Sequence, residues 1–151
     1  MARVGFDPSV VNDAAATVFV VGQVYEHLGK KYRYVQVVDA VAVGNGTVVE
    51  WANTTSTAVT SDRAGGSSVG RRVAGVAVGT ISQNQYGFIQ TGGNHAAVRT
   101  DGGVVVTDFL ISDTVDQDSD TMAAGEEHLV FAEALATDTV GNTVAAHLFC
   151  E

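Results

Sequence analysis

The stretch DTVDQDSD, Asp113 to Asp120, places four carboxylates within eight residues. Hard oxygen ligands at alternate positions are what a calcium loop requires. With Asp116 in the first position, Asp118 and Asp120 fall at the third and fifth, and Glu127 at the twelfth, where an EF-hand supplies its bidentate carboxylate. Thr121 then occupies the sixth position, where the sharp turn needs glycine, and the preceding VVVTDFLIS reads as strand where a helix should stand. An EF-hand is therefore excluded. Two readings stay open: a looser calcium cage of Asp116, Asp118, Asp120 and Glu127, or an exposed acidic turn whose charges discourage edge pairing. The second is the expectation, with no cofactor.

Other chemistries fare worse. GSSVG (Gly66–Gly70) has the G-x-S-x-G form with Ser68 as nucleophile, but that motif works at a strand-turn-helix elbow. Here a polar loop precedes it and a strand-like run follows. GGSSVGRR echoes a phosphate loop, yet Arg71 and Arg72 stand where Lys and Ser or Thr belong. His27, His95, His128 and His147 share no metal-ligand spacing, although His128 and His147 could face each other across the last hairpin. Cys150 is the single cysteine, which excludes an internal disulfide and a cysteine zinc site. No catalytic constellation emerges, and a non-enzymatic protein is expected.

The elements that must carry these residues are β-strands. Val, Ala, Gly and Thr dominate, with 17 Gly against one Pro, a composition of pleated surfaces and tight turns. TVFVVGQVYEH and KYRYVQVVDAVAV flank LGK, a hairpin signal. In the second run Tyr32, Tyr34, Gln36 and Val38 share one face, and Arg33, Val35 and Val37 the other. VVEW follows, then a polar Gly/Ser/Thr-rich loop over residues 53–72. VAGVAVGTI, YGFIQT, HAAVRT, VVVTDFLIS, HLVFAEALA and TVAAHLF continue the rhythm, with turns at SQNQ, GGN, DGG and TDTVGN. Gly87, between Tyr86 and Phe88, marks a close backbone approach. DSDTMAAGEEHL has room for one helical turn. The reading is one all-β domain, a β-barrel or β-sandwich of roughly 8–10 short strands over residues 17–151. Residues 1–16 form an irregular, flexible amino-terminal arm. Tyr32, Tyr34, Tyr86 and Trp51 are core rings, with a sugar-stacking platform as the lesser alternative.

Charge is divided along the chain. The first 99 residues hold all eight cations against six acids, whereas residues 100–151 hold eleven acids and no Lys or Arg. The net charge of −9 repels a phosphate backbone, so nucleic acid is not an expected partner. Nothing in the sequence is apolar for long enough to span a membrane as a helix, and the amino terminus lacks a secretory h-region. Synthesis and retention in a reducing cytoplasm are expected.

The order of these segments resembles a family. FVVGQVYEHLGKKYRYVQVVDAVAVGNGTVVEW, then VAGVAVGTISQNQYGFIQTGGNHAAV, DGGVVVTDFLIS and EEHLVFAEALATDTVGNTVAAHLF look like the small head proteins of tailed bacteriophages, the capsid decoration or cement proteins. The likeness runs over about residues 19–149 and is one of pattern; tail and fibre components share it. It implies a β-barrel or sandwich that binds the outside of an assembled shell as a symmetric homo-oligomer, a trimer by preference. The implied partner is the major capsid protein, and the implied location is the capsid exterior of a virion made in the host bacterial cytoplasm. Arg63, Arg71 and Arg72, on the flexible loop, are the expected contacts to capsid carboxylates.

Overall fold

A computed structural model describes residues 6–14, 18–52, 54–62, 72–113 and 118–150, apart from the His128 side chain. Ten strands lie among them: β1 (Val24–His27), β2 (Lys30–Val37), β3 (Val48–Trp51), β4 (Ala58–Thr60), β5 (Val73–Ala77), β6 (Tyr86–Arg99), β7 (Phe109–Ser112), β8 (Ser119–Thr121), β9 (Ala132–Ala134) and β10 (Thr143–Phe149). One 3-10 turn, Glu127–Leu129, stands where the sequence left room for a helical turn. The chain is an all-β single domain.

Hydrogen-bond order makes the architecture. The strands run β1-β2-β4-β3-β5-β6-β10-β9-β7-β8, and β2 also pairs with β6, which closes β2, β4, β3, β5 and β6 into a ring. The β2–β4 contact is parallel, and the other pairings are antiparallel. Val35 and Val37 of β2, Val49 of β3, Val59 of β4, Ala74 and Ala77 of β5 and Ile89 of β6 fill the barrel as one buried cluster with Val43 and Ile81; alternation sets the β2 pair, and an irregularity in the β3–β5 pairing at Ala74 turns Ala74 to the same side as Ala77. Gly87 faces inward beside Ile89, and a Cβ there would come within 2.6 Å of Ile81 Cδ1. The close approach read from the sequence is therefore made by Ile81 filling the barrel.

The barrel's outer wall is buried on two sides. Val48 and Val76 point out of β3 and β5 into a second cluster with Val98, Val104, Leu110, Phe131, Val144 and Leu148. The sheet β10-β9-β7-β8 supplies most of this cluster. On the β2–β6 side, Tyr32, Tyr34 and Phe88 lie outward under the amino-terminal arm. The Phe6 ring sits 5.0 Å from Phe88 and 5.4 Å from Tyr32, and Phe19 sits 4.9 Å from Phe88 in edge geometry. Further along, Asn12 exchanges two 2.8 Å backbone hydrogen bonds with Tyr86. Residues 6–14 of the expected arm thus lie against the sheet; residues 1–5 and 15–17 are outside the described ones.

Several boundaries differ from the sequence expectation. GGN does not turn the chain: YGFIQT and HAAVRT are one strand of 14 residues, β6. Its first half pairs with β2 and β5, and its second half with β10. Gly93, at φ +82°, lets the strand bend against the β1–β2 hairpin, because a Cβ there would meet Gly29 O at 2.7 Å. The run from Thr17 enters strand only at Val24, and VVVTDFLIS only at Phe109. Val104 bridges Asp138, and the chain turns through Thr107 at φ +76°. At LGK the hairpin is as read: Leu28 (φ +50°) and Gly29 (φ +75°) form a two-residue primed turn.

Two polar devices fix the ring. Asp39, 4% exposed, accepts hydrogen bonds from Thr60 Oγ1, from Ser61 N and Oγ at 2.6 Å each, and from Asp62 N at 3.3 Å. This holds the exit of β2 to the end of β4, beside the parallel pairing. Gly46 donates to Ala77 O and accepts from Arg99 N, both at 2.9 Å, joining the β2–β3 connection to β5 and β6. It has φ +85°, and an added Cβ would overlap the Ala97 carbonyl oxygen. Strain and displaced backbone act together there, so Gly46→Ala is expected to lower unfolding free energy by about 2–3 kcal/mol in chemical denaturation. Gly29→Ala, with open space around it, is expected to cost about 1 kcal/mol. Equal losses would mean that the Ala97 contact yields freely.

Candidate functional site

Carboxylates gather at the end of β6. Thr100 forms a parallel bridge to Ser119 at the start of β8, and Asp101 N donates to Ser119 O at 3.3 Å. Ser119 Oγ returns a 2.8 Å bond to Arg99 O. The β7–β8 hairpin brings Asp113, whose N–H donates to Asp118 O at 3.2 Å, beside Asp120 in β8. One oxygen each from Asp101, Asp113 and Asp120 lies within 4.8 Å of the others. Calcium–oxygen bonds of about 2.3–2.6 Å allow two ligands to stand about 5 Å apart, so one hard cation fits this spacing. Asp113 is buried, Asp120 half-buried and Asp101 exposed. Asp101 titrates above the usual carboxylate range, first through partial burial and then through the negative charges of Asp120 and Asp113.

The structure distributes the four carboxylates of the alternative calcium set. Asp120 joins the cluster. Asp118 turns to Arg99, with Nε to Oδ1 at 3.0 Å. Glu127 lies in the 3-10 turn, where its Oε1 accepts from Gly125 N at 3.2 Å. Asp116 lies outside the described residues. Asp101, absent from the sequence reading, enters because a parallel bridge brings residue 100 to residue 119. Its sequence neighbours Gly102 and Gly103 signalled a turn but gave no sign of the partner strand. The turn expected across DTVDQDSD is narrower than read, since Ser119–Thr121 is a strand.

Beside the cluster, Asp138 is a structural knot. It accepts from Asn142 N at 2.8 Å, Val140 N at 3.1 Å and Thr100 Oγ1 at 3.1 Å, and these bonds hold its carboxyl below the usual range, against a smaller effect of burial. Glu50, buried in β3, accepts from Ser112 Oγ of β7 at 2.8 Å and so links the barrel to the second sheet.

The remaining candidates go to separate places. Ser68, Arg63 and Arg71 lie outside the described residues; Arg72 is exposed just before β5. His27 lies against the Phe6 ring at 5.4 Å, and His147 Nδ1 meets Asn94 Oδ1 at 2.7 Å across β10 and β6. Cys150 is half-buried beside Phe131, and burial pushes its thiol up to about 12, so it stays protonated. Tyr32 and Tyr34 are 5% and 0% exposed, and Arg33 lies over Trp51 at 5.4 Å. These tyrosines are core rings, as read, and present no sugar-stacking face.

No family model matches the chain, and no curated protein matches it either. Among solved structures the fold is similar to the crystal structure of the head fiber gp8.5 N base of bacteriophage phi29, with a TM-score of 0.51 and 12% identity. The match covers 78% of this chain and 92% of that one. At this identity the likeness is one of fold.

Two titrations probe this region. Asp120→Asn removes one negative charge facing Asp101, so the Asp101 pKa is expected to fall toward its ordinary value in carboxyl-detected NMR. An unchanged pKa would place the two groups apart in solution. His95 is 6% exposed at the β6–β10 irregularity, and its Nδ1 accepts from Ala97 N at 3.1 Å. Burial first, then the charge of Lys30, lowers its pKa from 6.5 to about 4, against a smaller opposing effect of a hydrogen bond with the Ala77 backbone. Above pH 6.5 the ring is neutral folded or unfolded. Between pH 6.5 and 4 only the unfolded chain takes the proton, so stability falls as pH falls, by about 3 kcal/mol at most. His95→Asn keeps an acceptor near the Nδ1 position without a titration, and is expected to flatten that slope in urea unfolding across the window. A slope identical to the parent's would assign the acid sensitivity to other groups.

Proposed function

We propose that this chain is a non-enzymatic structural protein of a phage virion that binds the outer surface of the head and stabilises it. The observation that carries the reading is the fold likeness to a phage head fiber base over 92% of that structure. The pattern of segments in the sequence supports the same class on separate grounds. Binding of the assembled shell and not of its dissociated subunits stabilises the shell by mass action, with no chemistry required. The proposed partner is the major capsid protein, and the proposed form is a homotrimer. Arg63, Arg71 and Arg72 are the proposed contacts, since they put positive charge on a chain whose net charge is −9.

A second reading is favoured by the same neighbour, whose name is that of a fibre base. In that reading the domain is the head-proximal anchor of a longer appendage. Both place the protein on the head. Purified full-length chain mixed with heads of the phage that encodes it, emptied of bound copies, is expected to give saturable, symmetric density on the outer surface by cryo-electron microscopy. Decorated heads are expected to open at a higher temperature than bare ones. Arg72→Glu should weaken uptake, with most of the change removed by raised salt. Heads that never take up the protein, or density confined to the tail, would end the proposal.

A further inference from the structure

Leu28 stands at the tip of the β1–β2 hairpin and is 87% exposed, the most exposed large apolar side chain among the described residues. Its backbone has φ +50°, and Gly29 beside it φ +75°. Both central residues of such a turn need positive φ, which is why asparagine, aspartate and glycine favour the first place and glycine the second. Leucine has no side-chain hydrogen bond to offset the crowding of its Cβ in that region. It also leaves an apolar side chain in water, where burial would lower the free energy. Asparagine at this place would remove both penalties. Single exposed apolar residues are ordinary, but one that also opposes the turn it sits in points to a role outside the chain's own fold.

The base of the hairpin is fixed. Phe6 of the arm stacks on Tyr25 at 6.0 Å and meets His27 at 5.4 Å, and Phe19 meets Tyr25 edge-on at 5.6 Å. The hairpin also lies against the bend of β6, so close that a Cβ on Gly93 would meet Gly29 O at 2.7 Å and Lys30 Cγ at 3.4 Å. On the outer side the space is open: apart from its chain neighbours, no atom lies within 4 Å of where a Gly29 Cβ would stand. Leu28 is therefore an apolar group projecting from a held base, and an anchor ordered in advance loses little freedom on binding.

The charged groups at the tip define what it fits. Glu26, His27, Lys30 and Lys31 line the hollow around Leu28 and Gly29. Two ammonium groups against one carboxylate leave the tip positive whether His27 is neutral or protonated. Arg33, two residues along β2 from Lys31, lies over Trp51 at 5.4 Å, and Trp51 N donates to Arg72 O at 3.4 Å. Four of the five described Lys and Arg residues thus gather at the hairpin end of the barrel; the fifth, Arg99, ends β6 and is paired with Asp118. The complementary surface has an apolar pocket for Leu28 and carboxylates at its rim. Two copies meeting tip to tip would instead set lysines against lysines. One leucine is too little apolar area to hold a protein on a bilayer, where even a whole acyl chain binds only marginally.

We propose that the β1–β2 hairpin is a docking element, whose Leu28 seats in an apolar pocket with an acidic rim on the surface of the head. The inference rests on the reading that this chain binds the head, and it adds an apolar anchor to the arginine contacts proposed there.

The test uses the full chain and heads of the phage that encodes it, emptied of bound copies. Leu28→Asn is expected to weaken uptake about tenfold or more, at low and at raised salt alike, while its urea midpoint equals or exceeds the parent's. Leu28→Met keeps an apolar side chain of similar volume and should bind within about twofold of the parent. Lys30→Gln with Lys31→Gln should weaken uptake several-fold and reduce its salt dependence. Uptake of Leu28→Asn equal to the parent's would overturn the inference and leave the head reading standing. Uptake of neither chain would remove both. A lower urea midpoint for Leu28→Asn would assign the leucine to the chain's own fold, and self-association of the parent that Leu28→Asn abolishes would make a second copy the occupant. Either result overturns the inference.

Discussion

Everything in this fold depends on β6 being one strand. Its first residues close the barrel against β2 and β5, and its last residues begin the second sheet by pairing with β10. Two structures share one continuous backbone, and the wall between them is buried from both sides. Val49, Ala74 and Ala77 fill the barrel while Val48 and Val76 fill the space behind it. A strand buried on both faces has no polar face to present, which is why these runs read as nearly unbroken Val and Ala. The bend that separates the halves rests on Gly93, and on the irregular pairing opposite His95, whose neutral ring takes the Ala97 N–H.

Polar groups in this protein mostly secure joints. Asp39 holds β2 to β4, Glu50 holds β3 to β7, and Asp138 holds the β9–β10 loop to the end of β6. Each lies where strands change partners and ladder bonds run out, so buried carboxylates satisfy the backbone and hydroxyl donors left there. The cluster of Asp101, Asp113 and Asp120 differs, because its carboxylates gather on one another, and Asp101 titrates high, through partial burial first and its neighbours' negative charge second.

Sequence alone determined the all-β class and the faces of β2, but not the length of β6 or the strand β4 (Ala58–Thr60), which lies within the stretch 53–72 read as a loop. The alternation in KYRYVQV separated Val35 and Val37, inside the barrel, from Tyr32 and Tyr34, outside it, and Leu28-Gly29 marked the hairpin. These follow from the two-residue pleat and from φ preferences, which act between near neighbours. The tertiary structure decided which strands meet. Nothing local distinguishes Gly92-Gly93 as a bend within a strand from Gly102-Gly103 as a turn; the difference is that β10 and the β1–β2 hairpin arrive to pair with the first. Asp101 joins Asp113 and Asp120, and Asp118 leaves them for Arg99, because of a bridge between residues 100 and 119. Pairing partners are set by closure of the ring and burial of both sides of its wall, a condition on the whole chain that no short stretch of it contains.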